Sequence, residues 1–167
     1  MAKKKKIATK ASSHEENTKL LVKLSALVSL WQKKTYMKEY KKISEQEELI
    51  GKAIVNAAYE VHKELGPGLL EKVYEVCFCH VLRKNGFDTK RQLDIPIHFD
   101  GLYFEEGLRM DVLVNNLVIC ELKAIETINP VWEAQLLSHL KLTGKRLGYL
   151  INFNVPLIKN GIKRMIY

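Results

Sequence analysis

The sequence predicts an α/β domain in which helices cover the faces of a central mixed sheet of four to five strands. Apolar residues recur at helical spacing across residues 44–84, switch to a period of two over 93–97, and return to helical spacing after Pro130. Turn signals separate these stretches at Gly66-Pro67-Gly68, Asn85-Gly86, Asp100-Gly101 and Thr143-Gly144. The resulting order of two helices, three strands, one helix and a further strand makes a mixed sheet with helices on its faces. A chain of 167 residues with 47% apolar content suits one domain with a real core and excludes global disorder.

Each element has its own signals. Ser44 followed by Glu47 resembles a capping box, and Ile50, Ile54, Ala57, Ala58, Val61 and Leu65 form one apolar stripe behind it. The second helix is expected to turn Leu70, Val73, Tyr74, Cys77, Val81 and Leu82 inward. Leu93, Ile95 and Ile97 alternate with polar residues and lead into a hairpin at Asp100-Gly101, with Pro96 marking an edge strand or a bulge. Residues 102–114 read as the next strand, with a break expected near Gly107. Leu117 to Ala124 is more apolar and therefore central. Asn129 as N-cap and Pro130 as first helical residue open the third helix. Leu147 to Phe153 and Ile162 to Ile166 supply the remaining strands.

Charge divides the chain. Residues 1–42 carry 12 basic and 3 acidic side chains, whereas residues 43–167 are nearly neutral, so the net +8 belongs to the N-terminal segment. That segment, with Lys3 to Lys6 and a short amphipathic pattern from Leu20 to Trp31, reads as a poorly ordered extension; Met37 offers an alternative start. Its helix is too short to span a bilayer, so no membrane association is expected. Residues 43–167 form the working domain. No acid follows Glu133, leaving a locally basic C-terminal region. Cys77, Cys79 and Cys120 cannot complete a disulfide set and contain no C-x-x-C, which points to a reducing, cytoplasmic setting and away from structural zinc.

Three charged residues fall on strands that should be apolar: Asp111, Glu121 and Lys123. Glu121 and Lys123 are two apart and share a face. An isolated E-x-K is in itself a simple ion pair, but a second carboxylate at a similar level suggests oxygen ligands for a hard cation beside a lysine that meets developing negative charge. A two-residue turn at Asn115-Asn116 would set Asp111 opposite Cys120, facing away from Glu121. Convergence therefore requires an odd-length loop, a bulge or a bent strand near Asp111, and one of these is expected. Glu71 opens the second helix, where a carboxylate also suits the helix dipole. Gln135 and His139 share a face of the third helix. No P-loop, dinucleotide fingerprint, G-x-S-x-G or H-E-x-x-H occurs.

Gly68-Leu69-Leu70-Glu71-Lys72-Val73-Tyr74 resembles the defining motif of the GxxExxY family within the PD-(D/E)XK nuclease superfamily. Met110-Asp111 and Glu121-Leu122-Lys123 are similar to that superfamily's split signature, with Met110 in place of the nominal proline. Ala134-Gln135-Leu136-Leu137 and Leu150-Ile151-Asn152-Phe153-Asn154 look like the closing segments, and the likeness covers roughly residues 45–167.

The resemblance implies a restriction-endonuclease-like αβα sandwich and a Mg²⁺-dependent nuclease (Mn²⁺ as a substitute), with DNA favoured over RNA. It implies Asp111, Glu121 and Glu71 as metal residues, Lys123 beside the attacked phosphate, and Gln135 as the glutamine of a Q-x-x-x-Y motif whose tyrosine is replaced by His139. Lys141, Lys145, Arg146, Lys163 and Arg164 are expected to contact phosphates. A homodimer is one assembly that nucleases of this type adopt. The alternative is a catalytically silent nucleic-acid-binding or assembly module on the same fold.

Overall fold

The computed structural model describes residues 42–127 and 129–167. The expected disorder and amphipathic helix of the N-terminal extension lie outside those residues. Helices α1 (Glu45–Leu65) and α2 (Glu71–Lys84) come first, followed by strands β1 (Thr89–Phe99), β2 (Leu102–Val114) and β3 (Val118–Lys123). Helix α3 (Val131–Thr143), β4 (Leu147–Asn152), a 3₁₀ turn (Ile158–Asn160) and β5 (Ile162–Ile166) complete the chain. The five strands lie in sequence order, antiparallel except for the parallel β3–β4 pair that α3 connects.

The capping box forms as the sequence specifies: the Glu47 N–H donates to Ser44 Oγ, and the Ser44 N–H donates back to Glu47 at 2.8 Å. The α3 start follows suit, with Asn129 Oδ1 accepting from the Val131 N–H at 3.0 Å. Alternation along β2 and β3 sorts the core into two layers. Val112, Val114, Val118, Cys120 and Leu122 pack under α1 and α2, while Leu113 and Ile119 face Leu136 and Leu140 of α3. The expected αβα sandwich is therefore the observed one.

Two expectations for the helices need correction. Leu70 is 77% exposed and Val73 is half-exposed, because Leu70 caps α2 and the buried face turns instead through Tyr74, Glu75, Phe78, Val81 and Leu82. Glu75 is held by one charged and one amide donor: Arg91 Nε and Gln92 Nε2 both reach its carboxylate at 2.5 Å. Leu65 likewise ends up outside the stripe assigned to it.

The β1–β2 hairpin turns at Asp100 and Gly101, both at positive φ, and pairs Phe99 with Leu102. β1 is an edge strand, and the register shifts between Ile95 and Ile97, which accommodates Pro96. β2 does not break at Gly107 but continues across this bulge. A Cβ added at Gly107 would lie 1.6 Å from the Ile95 carbonyl oxygen, so only glycine allows the backbones to approach. Gly107→Ala should cost about 1–3 kcal/mol of stability through this forced displacement. A urea midpoint equal to that of the parent protein would contradict it.

Candidate active site

The β2–β3 connection sets the site. Val114 pairs with Val118, Leu113 with Ile119 and Val112 with Cys120, so the loop holds three residues, Asn115 to Leu117. Asn115 and Asn116 take the left-handed conformation that asparagine tolerates, and the Asn115 side chain accepts from the Asp88 N–H at 2.7 Å. The odd-length loop that convergence required is present.

The β2–β3 ladder ends at Val112 and Cys120, immediately before the acids. Beyond it the strands part, and the side chain of Asp111 fills the gap. Its Oδ2 accepts the Leu122 N–H at 2.8 Å, a donor that a regular strand would give to a backbone carbonyl. Strand alternation also slips here, since Met110 and Leu113 both belong to the α3-side core although three residues apart. On the neighbouring strand Gln92 adopts φ 51°, which lets consecutive residues Arg91 and Gln92 reach the same carboxylate.

Lys123 joins the two acids. Its Nζ donates to Glu121 Oε1 at 2.9 Å and lies 3.7 Å from Asp111 Oδ2. Glu121 is fully buried, and its other oxygen has no hydrogen-bond partner among the described residues. His139, fully buried on α3, brings Nδ1 to 3.3 Å from that oxygen without hydrogen-bond alignment, and neither ring nitrogen has a hydrogen-bond partner among the described residues. Spacing alone did not give His139 this position. A histidine on the inward face of a helix packed over an acidic strand was the available signal.

Each carboxyl feels a different balance. Burial pushes Asp111 up to about 6, aided by the Glu121 charge and opposed by the Leu122 N–H and Lys123. Burial also acts to raise Glu121, but His139 and Lys123 outweigh it and hold that carboxyl below its ordinary value. Lys123 is raised, because Glu121, Asp111 and Glu71 more than offset its desolvation. Glu71, half-buried at the start of α2, is raised by burial against the pull of Lys123.

The turn before Glu71 is built to place it. Gly68 sits at φ 99°, and the buried Tyr74 hydroxyl donates to the Gly66 carbonyl at 2.6 Å while accepting from the Leu69 N–H at 3.1 Å. The Tyr74 ring stacks on Phe153 at 4.6 Å, and the Phe153 N–H donates to the Lys123 carbonyl at 2.8 Å. The glycine, glutamate and tyrosine thus serve one purpose: a turn, a carboxylate and the clamp that ties both to Lys123. Asn152, unassigned from sequence, pairs with Lys123 across β3–β4 and holds Ile125 through hydrogen bonds to its N–H and carbonyl. A polar residue within an apolar strand was the signal there.

The remaining expected residues do not all converge. Gln135 is half-buried one turn before His139 and has no hydrogen bond with any described residue. Lys141 is exposed in the last turn of α3. Lys145 and Arg146 precede Leu147, which pairs with Val118, whereas Lys123 pairs with Asn152 at the other end of β4. That separation is roughly 16 Å along the strand. Lys163 pairs with Glu133 of α3 at 2.5 Å and Arg164 with Glu48 of α1, so the two cations leave β5 on opposite faces. The five expected phosphate contacts do not form one surface.

A mixed sheet between helical layers, carrying two acids and a lysine where its middle strands part, is the architecture of restriction-endonuclease-like proteins. The family model of the PD-(D/E)XK nuclease superfamily matches residues 48–165, and the chain belongs to that superfamily. No curated protein and no solved structure matches it. No helix among the described residues is long and apolar enough to cross a membrane.

Nucleases of this superfamily typically use divalent metals, commonly Mg²⁺. Among the described residues no three His, Cys, Asp or Glu side chains gather into a protein-only cage. The donor set still fits Mg²⁺, which takes one or two carboxylates and keeps water or phosphate oxygens as its other ligands. The unpartnered Glu121 oxygen is a donor of that kind.

Because Asp111 is raised from 3.8 to about 6, the folded protein holds a proton that the unfolded chain has lost between those values. The associated stability is full below about pH 4 and is lost as pH rises through 6. Asp111→Asn removes the charge while retaining an acceptor for Leu122. In EDTA it should be about 1–3 kcal/mol more stable than the parent at pH 7, with the gain fading towards pH 4. Denaturant titrations across that range would refute this assignment if the variant gained nothing at pH 7.

Proposed function

We propose that the chain is a metal-dependent nuclease of the GxxExxY type that hydrolyses phosphodiester bonds of nucleic acid, with DNA favoured over RNA and Mg²⁺ as its ion. The observation that carries this reading is the convergence of Asp111, Glu121 and Lys123 at the parted strands, with one buried Glu121 oxygen that accepts no hydrogen bond from any described residue. Residues 43–167 are the nuclease domain in this reading. The free cysteines Cys77, Cys79 and Cys120 suit a reducing cytoplasm.

Asp111 and Glu121 would hold the ion, and Glu71 would bind a second one directly or through water. When bound, the ion lowers the pKa of a coordinated water and offsets charge on the phosphate oxygens. Lys123 acts as a cation rather than a base, because its carboxylate neighbours keep it protonated at neutral pH. It faces the attacked phosphate and stabilises the charge that grows there. His139, pressed against Glu121, limits where that carboxylate can turn. Gln135, which has no hydrogen bond with any described residue, is free to position Lys123 or the substrate.

A silent binding module is the second reading. Lys123 already bridges both acids, and such a closed ion-pair cluster serves a purely structural role equally well. Incubating the purified chain with labelled single- and double-stranded DNA and RNA, in Mg²⁺ or Mn²⁺, separates the two. Cleavage should fall at least 100-fold in both Asp111→Ala and Lys123→Ala and vanish in EDTA, since each variant removes charge stabilisation of the transition state. Cleavage unaffected by either substitution removes the site assignment, and binding without cleavage in every metal establishes the module.

A further inference from the structure

The cations that the fold leaves unpaired are not those of the C-terminal strand. Lys163 and Arg164 are matched by Glu133 and Glu48, and Arg146 Nε donates to the Tyr167 carbonyl. Lys63 and Lys159, by contrast, have no ion pair or hydrogen bond with any described residue. Both line the same groove of about 310 Å³, formed between the last turns of α1 and the segment around the 3₁₀ turn. Tyr59, His62 and Leu157 complete its walls, and no acidic residue lines it.

The groove opens at the active-site end of the sheet. Lys123, the last residue of β3, pairs with Asn152, the last residue of β4, and accepts the Phe153 N–H. The chain then runs through Val155, whose carbonyl is held by His62 Nε2 at 2.7 Å, into the groove wall at Pro156 and Leu157. Pro156 lies three residues after Phe153, at most about 11 Å of backbone. The wall is therefore fixed at both ends: by Lys123 at one and by α1 at the other.

We propose that this groove is a single-stranded nucleic-acid subsite: Lys63 and Lys159 contact successive phosphates, and a base stacks on Tyr59. Three features select that ligand. Two ammonium groups, with no ion pair to any described residue and no acid lining the groove, attract a polyanion. Tyr59 is 45% exposed and offers an aromatic face, as base-stacking platforms do. The volume is at the small end of the 300–1,000 Å³ typical of ligand pockets, which suits one nucleotide rather than a duplex. The subsite rests on the nuclease reading for the identity of its ligand, and its position lets it hold the strand that runs past Lys123.

The test is binding without cleavage. A fluorescein-labelled twelve-nucleotide oligo-dT is titrated with the full chain in EDTA at several salt concentrations, reading anisotropy. Lys63→Ala with Lys159→Ala should weaken binding at least tenfold and flatten the plot of log K against log salt by about 1.4, or 0.7 for each lost phosphate contact. Tyr59→Ala should lose at least fivefold, and Tyr59→Phe should restore it. Lys84→Ala with Lys90→Ala, equal in charge change but away from the groove, should bind as the parent does. The subsite is overturned if the groove double variant retains parental affinity and slope, if the control pair loses as much, or if the parent chain binds no oligonucleotide. Because no metal is present, failure of cleavage leaves this result standing, and failure of this result leaves any cleavage standing.

Discussion

The site depends on a backbone donor that lacks its usual acceptor. β2 and β3 pair only as far as Val112 and Cys120, and past that point the Leu122 N–H meets the Asp111 carboxylate instead of a carbonyl. A buried N–H without an acceptor is costly, so the carboxylate is held in place by the backbone's own requirement. The three-residue loop sets the register that brings Asp111 level with Glu121, and Lys123 Nζ lies 3.7 Å from its Oδ2. Without Asp111, the open ladder would carry an orphaned donor.

Charge within the cluster is deliberately uneven. Asp111 and Glu121 lie in the same sandwich, yet one is raised and the other lowered, because His139 and Lys123 lean on Glu121 while burial dominates at Asp111. Removing charges from water is expensive, and Lys123 offsets much of that cost for both acids. One carboxyl is thereby held below its ordinary value while its neighbour is held above it.

Much of this was legible from the sequence because it rests on short-range rules. The capping box, the Asp100-Gly101 turn, the edge position of Pro96 and the five strands all follow from local residue chemistry. The odd-length loop was legible as a condition: if Asp111 and Glu121 share a site, the connection cannot be a regular two-residue turn. Burial of individual helix positions was less accessible, as Leu70 and Val73 show, since the rotation of α2 is fixed by Glu75 meeting Arg91 and Gln92 across the fold. The approach of His139 to Glu121 and the hydrogen bonds of Asn152 to Ile125 were not legible for the same reason; their partners lie on other elements. The pairing of Lys163 and Arg164 was not legible, because a run of cations says nothing about which acids face it. Glu48 and Glu133 precede it in the chain and meet it only in space.

Those two acids give β5 a further property. It is a short strand at the edge of the sheet, and its exposed rim would ordinarily invite another chain to add to it. Lys163 is drawn towards one helical layer and Arg164 towards the other, so consecutive residues carry charge off both sides of the same strand. Exposed ion pairs of this kind contribute little to stability. Their effect is to deny a flat, uncharged ribbon to an incoming strand. The C-terminal cations thus act on the edge of the sheet as a hindrance to strand addition, apart from any part they play in binding.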